Sequence, residues 1–163
     1  MEEDLSMPYL AVDATFHLSE ILSNIVNDLY GNSNIKASAA NSFLQSLQEW
    51  RTTLPSEICL QADGRNSPIP SREQVLASLH ISTFYYNVVM LVTRPFMISH
   101  LVKKLATHRR KPSDAGSDRV NGVSDGETTM LAHACTNAAI WLAQGCHDVL
   151  YAGRLLARMP LIE

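Results

Sequence analysis

Apolar residues recur along this chain at helical spacing, and strand-type alternation is nearly absent. Leu18, Ile21, Leu22, Ile25, Val26 and Leu29 fall at i, i+3 and i+4 and form one stripe. They predict a helix from about Thr15 that stops at Gly31 and the Asn32-Ser33-Asn34 run behind it. The opening through Met7-Pro8-Tyr9 reads as extended. A second helix is predicted from about Lys36 to Thr52, with Phe43, Leu44, Leu47 and Trp50 on its apolar side. Pro55 ends it, because the residue before a proline is pushed out of the helical region. A polar loop, Gln61 to Pro70, follows.

The third helix has the sharpest start signal. Ser71 and Gln74 form a capping box, each side chain answering the other's free backbone N–H. The helix is expected to run toward Arg94 and to be interrupted or kinked at Pro95. Val75, Leu79, Ser82 and Tyr86 align along its first half, while Tyr85 to Val92 is apolar all round, so this helix must be covered on most sides and sit centrally. Residues 106–127 turn polar and glycine-bearing without periodicity, which predicts a flexible linker. A fourth helix is predicted from near Thr128 to Pro160, its stripe running through Leu131, Cys135, Ala138, Ala139, Leu142 and Cys146, then Val149, Leu150 and Gly153. The fold class is therefore all-α, an antiparallel bundle-like array of four or more helices with a long polar linker before the last.

Length and charge narrow the function. A chain of 163 residues is one domain or part of one, and its 18 % of charged residues lies below the usual quarter, as expected of a surface largely covered by other protein. With 13 basic and 16 acidic residues the net charge is −3, against the basic excess of a nucleic-acid binder. The acidic start Met1-Glu2-Glu3-Asp4 is no secretory signal. The longest apolar run, Phe84 to Val92, falls well short of the roughly 20 residues of a membrane span. Cys59, Cys135 and Cys146 form no C-x-x-C pair, and the expected setting is reducing and intracellular.

Candidate chemistry is sparse. Cys135 and Cys146 share a helix face but stand roughly 16 Å apart along it, too far for one metal or a disulfide. His133 and His147 point away from Cys135, and His17, His80, His100 and His108 are scattered. There is no nucleophile elbow, no glycine-rich phosphate loop and no carboxylate pair, so no enzyme and no cofactor are expected. Phe84, Tyr85, Tyr86 and Phe96 group around Arg94; they read either as a small-molecule pocket between helices or as core, with Arg94 bonding carbonyls freed by the break at Pro95. Arg109, Arg110 and Lys111 read as a nuclear-import patch or phosphate contact, or as a solvated helix end complementing the carbonyl dipole.

The run from Phe84 through Tyr85-Tyr86 to Arg94-Pro95-Phe96 resembles the signature of the fungal-specific transcription factor domain, the middle homology region of fungal zinc-cluster regulators. Three further pieces agree in order. Met7-Pro8 and Val12-Asp13 stand ahead of a helix ending Leu29-Tyr30-Gly31, Trp50 precedes Leu54-Pro55, and Cys135 precedes Ala138-Ala139, each similar to that family. Thr93 stands where the family often has histidine, and the cysteine-rich zinc cluster is absent. The resemblance implies that residues 1–163 are a single partial regulatory domain of a nuclear protein, lacking the first part of the homology region: a portion of such a regulator or a truncated paralogue. It implies contacts with the rest of a transcription factor chain, other regulatory proteins or a small effector, with DNA only indirectly and zinc only if an upstream cysteine cluster exists. The alternative is a free-standing helical module for a protein partner or an apolar ligand beside Arg94, Tyr85 and Phe96. If family members bury these helices against an upstream half, this chain should expose apolar surface and show poor solubility or self-association.

Overall fold

In the computed structural model, residues 7–30, 36–55, 71–109 and 122–151 are described, and they are helical almost throughout. The order is α1 (Met7–Ile25), carried on by a π-helical turn over Val26–Tyr30, then α2 (Ala37–Thr53), α3 (Arg72–Arg109) and α4 (Gly122–Tyr151). The described residues contain no strand, and the fold is the expected all-α array.

The first helix starts earlier than the sequence pattern suggests. Met7-Pro8-Tyr9 is helical rather than extended, because proline in a first turn lacks only an N–H that would be unpaired there. Leu10, Ala11 and Ala14 extend the apolar stripe back over those turns and pack on the core. Leu18 and Ile25 are fully buried, whereas Val26, about 80° round the helix from Leu18, is exposed. The second helix matches its expected bounds. Leu54, just before Pro55, has extended backbone (ψ 135°), and Ala40, Leu47 and Trp50 are buried.

At the start of α3 the capping box is formed: the Ser71 N–H donates to Gln74 Oε1 at 2.8 Å, and the Gln74 N–H donates to Ser71 Oγ at 3.2 Å. Pro95 does not interrupt the helix, and α3 continues to Arg109. Val88, Val89 and Val92 before the proline and Phe96 after it are all buried. Burying such side chains contributes about 1.5–3 kcal/mol each, enough to offset the roughly 3 kcal/mol of one interior proline. Residues 106–109 and 122–127, expected in the linker, therefore belong to α3 and α4; residues 110–121, like the polar loop 61–70, Cys59 and Gly153, lie outside the described residues.

α3 is central, contacting α1, α2 and α4. The pair α3–α4 is antiparallel, since His100 meets Thr129, Met90 meets Cys135 and Tyr86 faces Trp141. On α4, Thr128, Leu131, Ala132, Cys135 and Ala138 are buried, but Ala139 is exposed and no described side chain beyond it is fully buried. The small-residue stripe is thus covered over only its first half. An 18-residue window within Arg72–His108 reaches a mean hydropathy of 1.5, enough by length and composition to cross a membrane; a central core helix meets the same criterion, and 33 % of the window is buried in the fold. The expected exposed apolar surface is present: on α1 at Tyr9, Val12 and Phe16, on α3 beyond Phe96, and on α4 at Met130, Ile140 and Trp141.

Candidate functional site

The aromatic side chains expected around Arg94 pack on the core and on one another rather than around the guanidinium. Tyr85 turns toward α2 and stacks on Trp50, with ring centroids 6.0 Å apart and planes 14° from parallel. Tyr86 packs edge-on against Tyr85 at 5.3 Å and faces α4. Phe96 is buried, and Arg94 is exposed. The cause is helix geometry: Arg94 and Phe96 lie about 160° apart round one continuous helix, so the guanidinium is exposed while the aromatics take the core reading, Phe96 within the core and Phe84, Tyr85 and Tyr86 packed against it. Of the basic run, Arg109 is the last residue of α3, and Arg110 and Lys111 lie outside the described residues.

Burial pushes the Tyr85 phenol above its ordinary range; nearby Arg51 works against this, and Tyr86 adds to the rise. A raised value means that folding favours the neutral phenol. The stabilisation is complete below the ordinary pH of about 10 and is lost as pH rises through the folded-state value. Denaturant midpoints compared between about pH 9 and about pH 11 should therefore fall in the native chain and fall less in Tyr85→Phe, which has no phenol to ionise.

Of the stripe expected on α3, Leu79, Ser82 and Tyr86 line a site, joined by Thr83, while Val75 is buried; the site needs α4. Leu79, Ser82, Thr83 and Tyr86 follow i, i+3, i+4, i+7 spacing, and opposite them Trp141, Gln144, Gly145 and Asp148 repeat it, with Leu142 between. Together they border a groove of about 400 Å³, within the range of small-ligand sites. Its walls are aromatic and aliphatic, and hydroxyls and the exposed Asp148 carboxylate stand at its edge. Such a lining suits an apolar body carrying a hydrogen-bonding or cationic head. Gly145 opens the floor: a Cβ built there meets nothing within 4 Å. Gly145→Ala should accordingly add helix propensity without a clash, stabilising by about 1 kcal/mol and raising the melting temperature by roughly 2–4 °C.

Sequence reasoning passed over Trp141, Gln144, Gly145 and Asp148. The available signal was a glycine inside a helix at the same spacing as the α3 set, but the pairing of the two sets depends on the antiparallel register. The same register joins two histidines that look scattered along the chain. His100 Nδ1 lies 3.3 Å from the Thr129 hydroxyl, and its ring is 6.3 Å from that of His133. Cys135 is buried, its thiol 4.0 Å from the Met90 carbonyl, and Cys146 is half-buried; both are free. Among the described residues no group of three His, Cys, Asp or Glu is placed to hold a metal ion. Compared with known proteins, the chain matches no family model, no curated protein and no solved structure.

Proposed function

We propose that this chain is the regulatory, non-DNA-contacting part of a fungal zinc-cluster-type transcription factor, acting in the nucleus through contacts with the rest of such a chain, with other regulatory proteins or with a small effector. One observation carries the reading. Residues that bear the sequence resemblance converge at the junction of α2, α3 and α4: Trp50 stacks on Tyr85, Tyr86 packs on Tyr85, and Cys135 reaches the Met90 carbonyl. A shared packing node explains why such residue types would recur together in order. Catalysis is not part of the proposal, and neither is a cofactor.

The test is a reporter assay with the full chain fused between a heterologous DNA-binding domain and an activation segment. Regulation predicts that the fused chain changes reporter output, and that Trp141→Ala with Asp148→Ala, at the groove, alters that change while the domain still melts cooperatively. Output indifferent to the presence of the chain overturns the reading, as does duplex binding by the chain alone at physiological salt. A second reading, a free-standing helical module for an apolar ligand, is favoured by the groove itself. It predicts ligand binding that is lost on Trp141→Ala without any effect on transcription.

A further inference from the structure

Charge is segregated along this chain in a way that the net value hides. Before Lys36 every charged residue is acidic, and between Glu73 and Asp114 every one is basic. The structure gives each block an uncovered apolar face. On α1, Tyr9, Val12 and Phe16 are 60–68 % exposed, and Asp13 and Glu20 fall within the same sector, about 100° wide. Beyond Phe96, Ile98, Leu101, Val102 and Leu105 are 48–59 % exposed along the tail of α3. Arg94 lies in that sector one turn before Ile98, and Lys104 flanks it. The two stripes have the same i to i+7 length, roughly 10 Å along each axis.

These faces cannot meet within one molecule. The α1 face borders a groove of about 320 Å³ lined by Ala11, Val12, Thr15, Phe16, Ser19 and His80. Eighteen residues of continuous helix separate His80 from Ile98, about 27 Å, and the inner side of the tail is held on α4 through His100 and Thr129. Among the described residues each face finds its match in length and opposite charge in the other, and so on another copy.

We propose that a second copy of this chain covers both faces, the acidic face of α1 in one protomer seating the basic tail of α3 in its partner. Applied twice about a two-fold axis, the contact closes on itself and buries both stripes of both chains. The α1 groove takes the aliphatic knobs of the tail, while Asp13 and Glu20 meet Arg94 and Lys104. His17, 3.9 Å from Asp13 and 3.5 Å from Glu20, stands between the two carboxylates with its ring edge-on to that of Phe16, centroids 6.2 Å apart. Self-docking of this kind is independent of what the chain regulates.

Sedimentation velocity of the full chain at rising concentration tests the contact. The native chain is expected to dimerise, and more weakly at high salt. Asp13→Lys with Glu20→Lys, or Arg94→Glu with Lys104→Glu, should each weaken association about tenfold or more; all four are exposed side chains, and thermal melts check that both chains stay folded. Mixing the two reversed chains should restore association, because each then presents a face opposite in charge to its counterpart. The proposal is overturned by a native chain that stays monomeric, by reversals without effect, or by folded reversed chains that do not associate on mixing. Monomers that instead co-sediment with phosphatidylserine vesicles would assign the α3 tail to a lipid surface and also overturn it.

Discussion

Replacing Trp50 by alanine is expected to lower the stability of this protein by about 3–5 kcal/mol, a large part of the 5–15 kcal/mol typical of a domain. The indole is buried and lies flat on Tyr85, so it ties α2 to the central helix through both area and ring stacking. Its removal leaves a cavity between two helices rather than within one, where relaxation is limited. Trp50→Phe keeps an aromatic face against Tyr85 and should lose distinctly less. Urea unfolding followed by helical circular dichroism measures both, and a loss below about 1 kcal/mol in Trp50→Ala would show that the stack does not hold α2 in solution.

Pro95→Ala is expected to act in the opposite direction. Proline in a helix interior lacks the N–H of its turn and crowds the carbonyl four residues back, at about 3 kcal/mol relative to alanine. Here the helix runs through it regardless, with Thr93 fully buried two residues before it and its hydroxyl donating to the Val89 carbonyl at 2.7 Å. Alanine keeps the helical backbone, restores the donor and leaves the buried Val92 and Phe96 in register, so a gain of about 1–3 kcal/mol should appear as a higher urea midpoint. A loss instead would mean that the proline ring itself holds Phe96 in place.

Both substitutions touch the place where local reading and the folded chain part company. The helical periods, the capping box at Ser71 and Gln74, the stop before Pro55 and the central position of α3 can all be read in the sequence, because each depends on residues a few positions apart. The extended opening, the break at Pro95 and the ends of the linker cannot be read correctly there. At each of these the chain overrides a local preference through burial: Leu10, Ala11 and Ala14 draw the first turns into α1, and Val92 and Phe96 hold α3 together across its proline.

The candidate sites divide along the same line. Leu79, Ser82 and Tyr86 are recognisable as one stripe from spacing alone, and Cys135 as a buried position facing inward. Their partners are not: Trp141, Gly145 and Asp148 join the groove, and His133 approaches His100, only through the antiparallel register of α3 on α4. The grouping around Arg94 shows the converse, since residues adjacent in a motif were sent to three different sides by an unbroken helix. Periodicity and caps thus settled the helical class and marked the four α-helices of the described residues, whose hydrogen bonds close within a few residues of chain. Which side chains stand together across helices, and which apolar faces remain uncovered, was decided by tertiary packing, because those distances depend on how whole helices align and no local pattern encodes that alignment.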